Sequence, residues 1–192
     1  CLIDADKPEL LAKTVADISK VTHGTDVAIA GAAMVAQAVA SGVAGRSWDE
    51  AADDVLAIFD IAKTYGEPTW AASVKRRFEL ALDAARNIHD PEEYSRWIYE
   101  VIGTGTMTSE SVSAALAVAW FCRDAKKAAI MCANMGGDTD TMGAMAVAIC
   151  GAMNGIESIP TDWLKTLEET NNLNFFELAD QIIETRPAFN KD

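Results

Sequence analysis

Three oxygen-bearing side chains set close together are the first feature of this sequence that could do chemistry. Residues 133 to 155 read ANMGGDTDTMGAMAVAICGAMNG, so Asp138, Asp140 and Thr141 follow two glycines and precede a run of small residues and methionines. Residues two apart on an α-helix point roughly 200° away from each other, so two such aspartates cannot share a site inside regular helix. They can share one if they straddle a helix start. Gly136 and Gly137 allow the turn, and Asp138 and Thr141, three apart, then fall on one face of the first helical turn. Two carboxylates and a hydroxyl are hard oxygen donors of the kind that suit magnesium, calcium or manganese. An aspartate at a helix start also serves simply as a cap and meets the positive end of the helix dipole. Two so close together, amid apolar segments, repel one another unless a cation joins them, and that favours a site over a pair of caps.

Better-known motifs fail on spacing. An EF-hand loop beginning at Asp138 would have its glycine at Gly143, but it puts Met142 at the fifth position and Ile149 where the bidentate glutamate belongs. A phosphatase-type aspartate nucleophile needs a buried strand before it, and Cys132-Ala133-Asn134-Met135 supplies none. Gly103-Thr104-Gly105 lacks both the preceding strand and the third glycine of a dinucleotide fingerprint. His23, between two helices, is the other candidate side chain. An isolated histidine there is more often a hydrogen-bonded structural residue, and His89, beside Asp90-Pro91, is expected at the surface.

The elements that would position these residues are all helical. Pro8 sits in the tolerated first turn of a helix carrying Leu10, Leu11, Val15 and Ile18, which stops near Val21–Gly24. Thr25 or Asp26 caps the next, an Ala/Gly-rich helix to about Gly45 whose small surface belongs at the centre of a bundle. Ser47 and Glu50 form a capping box for a helix ending near Tyr65-Gly66. Peripheral helices are expected from Thr69 to about Ile88 and from Glu92 to Val101. Residues 102 to 106 read as a flexible polar loop, after which Thr108–Ser111 cap an apolar helix. Further helices are expected over Asp124–Cys132, after the aspartates, after Pro160, and near Phe175–Thr185. No segment shows sustained strand alternation, so the chain reads as all-α, with about nine or ten helices in a single domain, residues 1–192.

Bulk composition narrows the function. A formal charge of −13 over 192 residues leaves no cluster of lysine and arginine to track phosphates, which argues against a nucleic-acid partner. The uncharged run from Val27 to Gly45 approaches membrane-spanning length, but its alanines and glycines, with Gln37 and Ser41 inside, read as a core helix and not a span. No signal peptide is evident. Cys1, Cys122, Cys132 and Cys150 show no CxxC spacing, and three of them lie in apolar helical segments, which suggests a reducing, cytoplasmic setting. The methionines Met131, Met135, Met142, Met145 and Met153 read as core filler and not as ligands.

Asn134–Thr141, the small-residue helix after it, and Gly155 through Ile159-Pro160 closely resemble the C-terminal signature of the ADP-ribosylglycohydrolase family. Two further matches fall in the expected order: Val21-Thr22-His23 ahead of the Ala/Gly helix, and Ile102–Gly105 ahead of Ser109-Glu110-Ser111-Val112. The resemblance implies an all-α, orthogonal multi-helix bundle with two magnesium ions at its centre, manganese being an alternative. It also implies hydrolysis of an N- or O-glycosidic bond at the anomeric carbon of ADP-ribose or a related ribosyl group. Asp138, Asp140 and Thr141 would be metal ligands, the two aspartates catalytic, and His23 with Gly103, Thr104 and Gly105 would lie near the bound nucleotide-sugar.

Members of that family carry an earlier segment, with a Thr-Asp-Asp cluster and an upstream acid, that completes the metal sites and assists catalysis. These 192 residues contain no such segment, so the resemblance implies a companion N-terminal segment or chain. The sequence begins at Cys1 without a methionine, which suits a processed product, an artificial boundary or one half of something longer. Two other readings stand beside the hydrolase. Cys1 could be an N-terminal nucleophile freed by cleavage in an amide hydrolase, or the chain could be a non-catalytic module that binds ADP-ribose.

Overall fold

Six of the helix starts described in this chain carry a side-chain cap. Thr25 accepts from Ala28 N, and Ser47 and Glu50 bond reciprocally in a capping box. Ser73, Asp90, Asp124 and Asn174 each accept backbone N–H groups one turn into their helices, satisfying donors that a helix leaves unpaired. The computed structural model, which describes residues 1–190, has ten α-helices: α1 (Pro8–Ser19), α2 (Asp26–Val43), α3 (Trp48–Ala62), α4 (Val74–Ala85), α5 (Pro91–Trp97), α6 (Thr108–Cys122), α7 (Ala125–Met135), α8 (Thr139–Asn154), α9 (Thr161–Asn171) and α10 (Phe175–Phe189). Among the described residues there is no strand, only an isolated bridge between Thr25 and Glu67. The fold is all-α, as the absence of strand alternation implied.

Small residues decide the centre. α2 packs against α1, α3, α6 and α8, and two of its glycines mark where the neighbours come closest. A Cβ on Gly31 would lie 2.5 Å from the Thr108 methyl, and one on Gly42 would lie 2.8 Å from the backbone of Ala152 and Met153. α2 is also long and apolar enough to cross a membrane by length and composition; here 56% of it is buried within the bundle. α6 is apolar all round and has eleven buried residues, the mark of a core helix. Phe78 and Trp48 meet Trp120 edge-on, with ring centroids 5.0 and 5.3 Å away, and Tyr94 stacks on Phe121 at 4.2 Å.

The three central helices run in the same direction. Gly31 meets the start of α6, and Gly42 meets the end of α8. Cys150, near the end of α8, sits 3.8 Å from the carbonyl of Ala119, near the end of α6. The starts of α2, α6 and α8 therefore gather at one end of the bundle, and the loops before α6 and α8 can meet there. At the periphery, α9 and α10 bury no residue. A polar clasp fastens α10 to the N-terminal segment: Asp4 pairs with Arg186 at 2.8 Å, and Asn190 bonds Leu2 and Asp4.

Several local expectations give way to tertiary contacts. The helix anticipated from Thr69 begins only at Val74, because Asp26 takes both the N–H and the hydroxyl of Thr69, at 3.1 and 2.7 Å, and holds residues 67–73 out of helix. Helix α5 is shorter than expected and opens into a π-helical turn, Ile98–Ile102, closed by Gly103 N on the Ile98 carbonyl at 3.0 Å. Thr108 and Ser109 do not cap α6. Met107 stands at its N-cap without a side-chain bond, and Ser111 and Ser113 donate instead to carbonyls of the preceding turn. Helix α7 continues to Met135, and α10 reaches Phe189 with Pro187 inside it. Met131, Met135 and Met142 are buried, in line with their reading as core.

Candidate functional site

Helix α7 ends at Met135, and the chain turns through Gly136 and Gly137, whose φ angles are +83° and +80°. Only glycine adopts such angles readily. The turn places Asp138 at the N-cap of α8, with Asp140 and Thr141 in its first turn. The two aspartates thus straddle a helix start. The Thr141 hydroxyl donates to Asp138 Oδ1 at 2.9 Å, the three-residue pairing expected from spacing, while Asp140 Oδ1 accepts the Thr141 N–H at 3.0 Å. Asp138 is half-buried; Asp140 and Thr141 are exposed. Among the described residues no lysine, arginine or histidine pairs with either aspartate, so the positive end of α8 is what offsets their charge.

The loop of residues 103–105 comes to the same place. Asp138 N donates to the Thr104 carbonyl at 2.7 Å, and Thr104 is 4% exposed. It is therefore not the free polar loop its composition suggested. A Cβ on Gly137 would fall 2.2 Å from the Thr104 carbonyl oxygen and 2.4 Å from its hydroxyl, so the two loops meet backbone to backbone.

Glu110 holds the other side of this loop. Its Oε2 accepts the Gly105 N–H at 2.8 Å, and its carboxyl carbon lies 2.7 Å from where a Cβ on Gly103 would stand. Sequence reasoning took Glu110 as part of a helix-capping run and missed this role. The signal was a carboxylate five residues after a Gly-Thr-Gly turn. Glu110→Ala leaves the part-buried Gly105 N–H without its protein acceptor, a loss of about 1 kcal/mol. Hydrogen exchange at the Gly105 amide is expected to quicken in that variant, with exchange in the middle of α6 unchanged.

Not every candidate gathers here. His23 lies exposed in the turn between α1 and α2, its Nδ1 2.9 Å from the Thr22 hydroxyl. Among the described residues no hydrogen bond or ion pair joins it to the aspartates or to residues 103–105. Cys1 is exposed. Burial pushes the thiol of Cys122 up to about 12, that of Cys150 to about 12 and that of Cys132 to about 11. These three stay protonated and unreactive at neutral pH. A cavity of about 1270 Å³ lies elsewhere, between α3, α4, α5, α6 and α7, with Leu56, Leu82, Trp120, Phe121 and Met131 in its lining. His89 is exposed at that cavity, and neither aspartate lines it.

In type, the donors at the start of α8 suit a hard divalent cation: two carboxylates and a hydroxyl, all oxygen. In number they fall short. Among the described residues no three histidine, cysteine, aspartate or glutamate side chains group closely enough to hold a metal, whereas such a cation takes about six ligands. As built, these three donors could fill only one side of such a coordination shell.

The model of the ADP-ribosylglycohydrolase family matches residues 1–190 of the chain. YegU, an uncharacterized protein of Escherichia coli (strain K12), is 38% identical over 187 residues, which take in 97% of this chain and 56% of that protein. The chain thus spans a little over half the length of this curated relative.

Proposed function

The chain belongs to the ADP-ribosylglycohydrolase family, and from that premise we propose that it supplies one side of the active site of a magnesium-dependent hydrolase of ribosyl glycosidic bonds. The observation that carries this reading is the junction of Asp138, Asp140 and Thr141 with the Gly103–Gly105 loop through the Asp138 N–H. The substrate class is an ADP-ribosyl group or a related nucleotide-sugar.

In the reaction, water adds to the anomeric carbon as its bond to the leaving nitrogen or oxygen breaks, and positive charge develops on the ribose ring. Asp138 and Asp140 would stabilise that charge. Thr141 keeps the Asp138 carboxylate in one orientation through the 2.9 Å hydrogen bond, which lowers the cost of reorganisation during reaction. The Gly103–Gly105 loop, buried at Thr104 and tied by Glu110, gives a rigid wall for the sugar. Asp138, Asp140 and Thr141 would hold magnesium or manganese, with remaining donors from a companion segment or chain. A divalent ion, when bound, supplies Lewis acidity toward the substrate and water oxygens. The proton for the leaving group is assigned to that companion as well, since among the described residues no third carboxylate groups with the two aspartates.

Removal of metal tests this. Full-length protein dialysed against a chelator is expected to lose release of ADP-ribose from an ADP-ribosylated substrate, and added magnesium or manganese should restore it. Unchanged hydrolysis in the chelated protein would sink the metal assignment.

A further inference from the structure

Trp70 is the outlier among the exposed large apolar side chains of the described residues, at 108% exposure. The segment that carries it is well fastened. Asp26 Oδ1 accepts both from Thr69 N and from its hydroxyl, Asp26 N donates to the Glu67 carbonyl at 2.9 Å, and Glu67 N donates to the Gly24 carbonyl at 2.9 Å. Residues 67–70 are thereby laid alongside the turn that carries His23. Three residues after Trp70, Ser73 caps α4, and Arg77 in the first turn of α4 donates to the Ser109 carbonyl at the start of α6. Trp70 therefore stands at the end of the bundle where α2, α4, α6 and α8 begin, the end that carries Asp138 and the Gly103–Gly105 loop.

Nothing among the described residues covers this indole, although the backbone just before it is fastened. Its chain neighbours Thr69, Ala71 and Ala72 are small and exposed, so the indole stands clear of them and offers an open, flat π face. Such a face suits a nucleobase, which stacks on aromatic rings largely without regard to sequence. We propose that Trp70 is the stacking platform for the purine base of the nucleotide-sugar whose ribosyl end is handled at Asp138. This rests on the reading of the site as one for a nucleotide-sugar. It adds the residue that recognises the far end of that substrate.

The test uses the full-length protein, with AMP as a base-bearing probe and ribose 5-phosphate as a base-free one. AMP is expected to quench the part of the tryptophan emission that Trp70→Phe lacks. By calorimetry, Trp70→Ala should bind AMP about 5- to 150-fold more weakly, and Trp70→Phe within a few fold of the parent. Ribose 5-phosphate should bind all three alike. With an ADP-ribosyl substrate, Trp70→Ala should raise KM and leave kcat in place. Equal AMP binding by Trp70→Ala and the parent, or no AMP binding by the parent, overturns the proposal. So does Trp70 emission already shielded in the full-length protein and unresponsive to AMP, which would mean that a polypeptide covers it. Ile18 and Val21, exposed at 69% and 84% at the end of α1, would then belong to the same interface. AMP binding through Trp70 in a protein that hydrolyses no ribosyl bond would leave this inference standing and remove the hydrolase reading instead.

Discussion

Asp138→Asn and Asp140→Asn, each made in the full-length protein, are expected to lower ribosyl hydrolysis by at least about 100-fold, the scale on which loss of a single stabilising or metal-supporting group acts. The fold should not suffer. In Asp138→Asn the new amide oxygen can still accept the Thr141 hydroxyl, which the native carboxylate accepts at 2.9 Å. Either change also removes one of two neighbouring negative charges that no basic side chain offsets among the described residues. Without metal, the variants should melt close to the temperature of the parent, because relief of this repulsion is set against lost attraction to the positive end of α8. Magnesium should then separate them. It should raise the melting temperature of the parent, as a ligand of the folded state alone does, and should raise that of the variants little or not at all. Variants that hydrolyse like the parent, or that gain as much stability from magnesium, would refute the role given to both aspartates.

The second large effect is expected from Gly137→Ala. Two costs combine at this position. The φ of +80° disfavours any residue with a Cβ, and the added methyl would stand 2.2 Å from the Thr104 carbonyl oxygen. That neighbour is backbone, so relief requires the loops to part, and parting breaks the 2.7 Å bond from Asp138 N. Strain of about 1–3 kcal/mol and a lost hydrogen bond of about 1 kcal/mol together should lower the melting temperature by about 4–16 °C for a chain of this length. Hydrolysis should fall with it, because the Asp138 carboxylate moves with its backbone. Gly136→Ala is the control. Its φ is +83°, but the nearest atom to a new Cβ is the Tyr99 ring at 3.6 Å, so only the conformational strain applies. If the two variants melt at the same temperature, the contact with Thr104 is not what demands glycine at 137.

Much of the site was legible because its determinants are local. A glycine pair, an aspartate at a cap and a threonine three residues on are arranged by the geometry of one helical turn. The pairing of Thr141 with Asp138 is that arrangement realised. The capping box of Ser47 and Glu50 and the cap at Thr25 were legible for the same reason. Residues 69–73 show where this reasoning stops. Their pattern continues a helix, yet one distant carboxylate, Asp26, offers Thr69 two hydrogen bonds and the chain takes those instead. Glu110 was read as a cap for similar reasons. Its partner, the Gly105 N–H, lies in a loop whose path depends on packing against α8.

The sequence by itself determined the kinds of atom at this protein's site and the helix start that presents them. Side-chain chemistry and the helical repeat act over three or four residues, and both can be read along the chain. It also determined that the central helices would be lined by small residues. Only the tertiary structure decided that α2, α6 and α8 run the same way, and that the Thr104 carbonyl therefore meets Asp138 N. It alone decided that Trp70 is held in solvent at that same end. Contacts of this kind form between backbones far apart in the chain, and the close approach that permits them is the sum of many packed surfaces, not the property of any one segment.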